Sequence, residues 1–165
     1  MEFDVVIETP GGSRNTYETD HETGRIRLGR TLFTATRYPA DHGYVVGTLG
    51  EDGDPLDALV VVDQPTVPGC VIRVRAVGML RLRGEAAGDE VLCVPAGDVR
   101  RDHVQDITDV GEFYRREIAH FFQIYEQLRP GRSVEGSHWV GRAEAEAEIE
   151  ASRERLARRG RPGGR

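Results

Sequence analysis

Three aspartates crowd into six residues within the stretch Glu51-Asp52-Gly53-Asp54-Pro55-Leu56-Asp57. Gly53 and Pro55 shape a tight turn, and the apolar run 58–62 follows directly, as in a strand buried on both faces. A strand starting there would anchor the turn at the rim of a β structure. Carboxylates held that close repel one another unless a cation neutralises them, and hard oxygen donors select Mg²⁺, Mn²⁺ or Ca²⁺. The spacing is not that of an EF-hand loop, whose ligands spread over twelve residues and close on a glutamate. The same residue types also make a plain solvated turn, so composition alone leaves both readings open.

The whole chain narrows the class. It has 165 residues, enough for one domain of ordinary size, with 38% hydrophobic and 30% charged residues. The net charge of −6 argues against a nucleic-acid-binding surface. No apolar run approaches the roughly 20 residues of a membrane helix, and Met1-Glu2-Phe3-Asp4 lacks the features of a secretory signal. Cys70 and Cys93 sit in apolar β-like runs and read as buried free thiols of a cytoplasmic protein. All 22 basic residues are arginine. Without lysine there is no amine nucleophile and no compact ammonium for binding phosphate.

The elements that must position the acidic turn fall into two zones. Short strands are expected at 3–8, 15–19, 25–28, 43–46, 58–62, 70–82 and 91–94, separated by turns such as Thr9-Pro10-Gly11-Gly12. Many short strands of this kind suggest a closed barrel. The last third changes period. Val110, Phe113, Tyr114, Glu117, Ile118, Phe121, Phe122, Tyr125 and Leu128 share one helical face, ending before Pro130-Gly131. A second helix, rich in Ala, Glu and Arg, is expected at 142–159. The fold class is α+β, mainly β: one domain over 1–160, and a disordered tail at 161–165. His138 and Trp139 are expected to pack the junction between the helices, and His21 to lie on a solvated turn.

Asp-Gly-Asp-Pro-Leu-Asp before a buried strand resembles the signature of the family I soluble inorganic pyrophosphatases. Other segments follow in the family's order: Ile7-Glu8-Thr9-Pro10, Asn15-Thr16-Tyr17-Glu18, Arg30, Tyr38-Pro39-Ala40-Asp41-His42-Gly43-Tyr44, Pro68-Gly69, Val77-Gly78-Met79, Pro95, Asp102 through Ile107, His120-Phe121-Phe122, Tyr125 and Trp139. The likeness spans roughly residues 2 to 150. It implies an OB-like five-stranded barrel flanked by two C-terminal helices, and a cytoplasmic, Mg²⁺-dependent (or Mn²⁺-dependent) hydrolase of diphosphate that assembles as a hexamer. Matched position by position, Asp52 and Asp57 would bind the activating metals. Asp54 would act as general base beside the attacking water, so Asp52, Asp54 and Asp57 form the implied catalytic set. Glu8 and Glu18 would line the metal-rich cavity, and Arg30 and Tyr125 would hold phosphoryl oxygens.

The departures share a theme. The phosphate-binding lysine of Asn-Lys-Tyr-Glu is Thr16, the tyrosine of Tyr-Gly is His42, and the lysine of Tyr-Lys is Glu126. Around Gly84-Glu85-Ala86-Ala87-Gly88-Asp89-Glu90 about one residue is deleted. Gly84 takes the place of a metal-ligand aspartate, and the lysine is replaced by Glu90 or lost in the gap. Asp89 is expected as a metal ligand, depending on where the gap falls. His42 is expected on the substrate wall, as a proton donor or metal ligand. Arg37 and Arg83 are candidates to restore positive charge. Three functions compete: diphosphate hydrolysis in a remodelled site, action on another phosphorylated or anionic substrate, or a non-catalytic binding module.

Overall fold

The computed structural model describes residues 1–20, 22–85 and 88–160. His21, Ala86, Ala87 and the expected tail at 161–165 lie outside them. Eight strands run in chain order: β1 Phe3–Thr9, β2 Asn15–Thr19, β3 Ile26–Thr31, β4 Asp41–Val45, β5 Asp57–Val60, β6 Val71–Arg83, β7 Glu90–Pro95 and β8 Gly136–Gly141. Helix α1 covers Glu112–Ile124 and α2 covers Arg142–Arg159. Strands β1, β4, β5, β7 and β6 lie side by side, and β6 pairs back to β1, closing a five-stranded barrel. Among the described residues only the β5–β7 pairing is parallel, and β2–β3 forms a separate hairpin.

Alternation along the strands builds two apolar cores. One face carries Val5, Ile7, Val45, Ala58, Val60, Met79, Val91 and Cys93, joined by Ala145 and Ile149 of α2. The other carries Leu59, Leu80 and Leu92, packed under Ile118, Phe121 and Phe122 of α1. With both faces covered, β5 and β7 read as continuous apolar runs rather than alternating ones. Both cysteines are free; Cys93 is buried as expected, but Cys70, just ahead of β6, is only half-buried.

The structure corrects several boundaries. The strand expected at 43–46 begins two residues earlier, at Asp41, and β5 stops at Val60 because Val61 has left the β4 ladder. Helix α1 ends at Ile124, not near Leu128. Beyond it the backbone tightens into i→i−3 bonds, Gln127 N–H to the Ile124 carbonyl and Arg129 N–H to that of Glu126. Strand β8 was not expected. Its Ser137 and His138 are exposed, so its pattern is too polar to signal a strand, and it lies at the sheet edge beside β6. Trp139 packs on the α1 core opposite Leu80 rather than at a helix junction, and His138 faces solvent.

Buried Asp41 ties the loops around the barrel mouth. Its Oδ1 accepts from Gly11 N–H at 2.8 Å, and its Oδ2 accepts from the Thr66 N–H at 2.9 Å and hydroxyl at 2.5 Å. The next strand residue but one, Gly43, passes so close to β1 that a Cβ there would collide with the Val6 carbonyl.

Candidate functional site

The acidic turn sits at the start of β5, as its sequence suggested. Gly50 N–H donates to the Asp54 carbonyl at 2.6 Å, and Asp54 N–H donates to Asp52 Oδ1 at 3.1 Å. Gly53 takes a φ of +94°, which a side chain would resist. The turn opens on a cavity of about 450 Å³ lined by Asp52, Asp54 and Asp57 together with Glu8 of β1 and Glu18 of β2. Five carboxylates from three separate segments therefore meet in one space.

Their electrostatics reflect that crowding. Burial, then the charge of Glu90, with further push from Asp52 and Asp54, raises the Asp57 carboxyl to about 7 against the pull of His42. Glu8 is raised by burial, despite a hydrogen bond from Thr19 N–H. Carboxyls pushed upward in this way mark uncompensated negative charge, and an oxygen-only donor set fits a hard divalent cation.

A second cavity of about 320 Å³ shares Asp52 and Asp57 and adds Arg81, Asp89 and Glu148. Asp89 is thus brought close to the acidic turn, but Arg81 Nη1 already lies 2.5 Å from its Oδ2 and 3.8 Å from Glu148 Oε2. Arg81 is a cation the sequence reading passed over. The signal was its alternation with Leu80 and Leu82 on β6, which turns it away from the core those leucines join. Of the cations considered instead, Arg37 hydrogen-bonds the Gly12 carbonyl at 3.2 Å and Arg83 lies against Gly136, neither lining these two cavities.

The remodelled positions meet on the next wall. Glu90 is only 4% exposed, and its Oε2 stands 3.2 Å from His42 Nε2. Burial lowers the His42 imidazole, but Glu90, then Asp57 and Glu8, outweigh it and raise it to about 9. Tyr38 and Phe122 flank the ring, with centroids 5.2 and 6.4 Å away. Arg30 Nη2 donates to Oε1 of buried Glu126, whose carboxylate Arg129 Nη1 also approaches at 3.4 Å. Thr16 Oγ1 accepts from Arg30 N–H at 3.0 Å, so it braces the β2–β3 hairpin. Tyr125 stacks on Phe121 at 5.2 Å, and burial, then Glu90 and Glu126, raise its hydroxyl. Gly84 adopts a φ of +122° against the backbone of Ser133–Glu135, and a Cβ there would strike the Ser133 carbonyl.

Comparison with known proteins agrees with this arrangement. The family model described as inorganic pyrophosphatase matches residues 5–157. The chain is 64% identical over 161 residues to the inorganic pyrophosphatase of Streptomyces coelicolor, covering 97% of this chain and 99% of that one. It is 52% identical over 150 residues to that of Leifsonia xyli subsp. xyli, covering 90% and 92%. The crystal structure of inorganic pyrophosphatase from Thermus thermophilus superimposes with a TM-score of 0.90 at 43% identity, covering 94% of this chain and 91% of that one. The fold and the matched length agree, and the chain belongs to the inorganic pyrophosphatase family.

Proposed function

We propose that this chain hydrolyses inorganic diphosphate to two phosphates with Mg²⁺. The observation that carries the reading is the convergence of Asp52, Asp54, Asp57, Glu8 and Glu18 on one cavity. Asp52 and Asp57, with Glu8, Glu18 and, after release from Arg81, Asp89, are the residues that would hold the cations, Mn²⁺ being an alternative to Mg²⁺. Bound there, the cations neutralise the substrate's charge and acidify water. Asp54, on its Gly-shaped turn at the same cavity, takes the proton of the attacking water. Arg30, Tyr125 and His42 hold the phosphoryl oxygens, and their donors stabilise charge as the leaving phosphate departs.

Residues 1–160 act as one domain, supported by two cores that draw on β1, β4, β5, β6 and β7 and on both helices. Among the described residues no helix is long and apolar enough to cross a membrane. Together with the two free thiols this supports a cytoplasmic enzyme. Exposed Val71, Phe113 and Phe33 support assembly of several copies, for which the hexamer is the reading adopted.

Phosphate release from diphosphate with Mg²⁺ tests the function, run beside Asp54→Asn. Turnover by the wild type and its loss in the variant are expected. A wild type with no turnover would remove diphosphate as the substrate and turn the search to other phosphorylated compounds.

A further inference from the structure

His42, Asp57 and Glu90 each offer one ligand atom, and the three atoms lie within 4.8 Å of one another. They come from three neighbouring strands of the barrel wall. His42 lies on β4, Asp57 opens β5, and Glu90 opens β7 directly opposite Asp57 in the parallel ladder. A rigid scaffold of this kind holds a donor set in place without ordering a loop. Glu90 supplies an independent sign of an incomplete site: its buried Oε2 receives no hydrogen bond. It faces His42 Nε2 at 3.2 Å as an ion pair, while the hydrogen-bond contact of that nitrogen runs to Oε1 at 3.4 Å.

We propose that His42, Asp57 and Glu90 form a mixed nitrogen–oxygen site for a first-row transition-metal dication, distinct from the all-carboxylate donors of the adjoining cavity. Donor atoms on one such ion stand about 3.0–3.5 Å apart when adjacent and at most about 4.4 Å when opposite, for bonds of roughly 2.0–2.2 Å. The cluster, within 4.8 Å, is close enough for side-chain rotation to draw the three donors onto one ion. An imidazole beside two carboxylates favours Zn²⁺ or Mn²⁺ over Mg²⁺, which prefers oxygen and keeps its water. Tyr38 and Phe122 shield the imidazole side from water, which strengthens binding.

The site also answers the loss of lysine. Asp57 is shared with the acidic cavity, so a dication here stands at the cavity wall. It restores positive charge beside the substrate where Glu90 alone would repel it. With the site filled, His42 holds the phosphoryl oxygens through the cation that it binds. This role at the substrate rests on the diphosphate reading; the metal site itself does not.

The test is Zn²⁺ binding to the intact protein in excess Mg²⁺, with pulsed electron paramagnetic resonance of the Mn²⁺-loaded form. Wild type should retain one tight Zn²⁺ per chain, and its Mn²⁺ should show nitrogen coupling from a directly bound imidazole. Glu90→Gln, which preserves shape, should weaken Zn²⁺ by roughly tenfold or more. His42→Asn should do the same and erase the nitrogen coupling. Equal Zn²⁺ affinity in wild type and both variants, or no nitrogen coupling in the wild type, would overturn the site. Diphosphate turnover on the same samples separates the two readings. Nitrogen coupling without turnover upholds the metal site and sinks the hydrolase, while turnover without nitrogen coupling does the reverse.

Discussion

Arg30 and Glu126 are 96 residues apart in the chain, yet the Arg30 guanidinium is hydrogen-bonded to the Glu126 carboxylate. Arg30 is the one arginine that the family resemblance assigns to a phosphoryl group, and here its charge is already partly spent. Substrate must compete with a buried internal acid for the same donor. Glu126→Gln should release it. A charge-assisted hydrogen bond is worth about 1.5–3 kcal/mol, and partial exposure of Arg30 screens some of that. The expected result is a KM for magnesium diphosphate lower by about tenfold, read from steady-state kinetics. An unchanged KM would mean that Arg30 does not contact substrate.

Metal-free protein should lose stability as pH rises. An ordinary aspartate titrates near 3.8, and Asp57 in the fold at about 7. Between those values the folded chain keeps a proton that the unfolded chain has lost, so stability falls across the window. His42 continues the trend from 6.5 to about 9. Thermal melts in a chelator should therefore show Tm falling from pH 5 to pH 9, and Mg²⁺ should recover much of the loss near pH 8. Asp57→Asn removes the buried charge. It should raise the metal-free Tm at pH 8 by roughly 5 °C or more, for a gain on the order of 2 kcal/mol, while abolishing turnover.

Gly84→Asp writes back the carboxylate that the resemblance calls for, but the backbone will not take it. Gly84 has a φ of +122°, and a Cβ would meet the Ser133 carbonyl. The expected outcome is a loss of about 1–3 kcal/mol in urea unfolding with no gain in metal affinity. Restoring the deleted residue of the 84–90 turn together with the aspartate is the variant that should recover metal binding.

Asp41→Ala should be among the more damaging substitutions away from the reaction centre. It would strand the Gly11 N–H, the Thr66 N–H and the Thr66 hydroxyl around a buried hole. Each stranded group costs about 1–3 kcal/mol, and relaxation of the loops offsets part of it, so a loss of about 2–4 kcal/mol is expected. Asp41→Asn keeps one acceptor and should lose less.

Thr16→Lys supplies a lysine at a family phosphate position. Thr16 is 9% exposed and its hydroxyl accepts from Arg30 N–H, so the change should cost about 1 kcal/mol of stability. If the hairpin holds, kcat/KM for diphosphate should rise, and more so when combined with Glu126→Gln. A fall in kcat/KM with the fold intact would show that the cavity no longer admits an ammonium there.

Much of the fold could be read locally. Asp52, Asp54 and Asp57 lie within six residues, so their convergence needs only a turn and the first residue of a strand, and glycine and proline announce both. The continuous apolar runs of β5 and β7 and the periodic helical face of α1 are signals that local sequence carries. Strand β8 escaped because an edge strand buries little and its exposed Ser137 and His138 follow no apolar alternation.

The altered wall was legible as a set of substitutions but not as partnerships. Thr16, His42, Glu90 and Glu126 appeared as separate losses of phosphate-binding groups. Pairing of β4 and β7 with β5 sets His42 against Glu90 across 48 residues, and the meeting of the β2–β3 hairpin with the segment after α1 sets Arg30 against Glu126 across 96. Arg81 found Asp89 and Glu148 the same way, through β6–β7 pairing and the packing of α2 on β6. Charge type and spacing are properties of a chain segment and survive without the fold. Which charge faces which is set by strand register and barrel closure, and those depend on contacts between segments far apart in sequence.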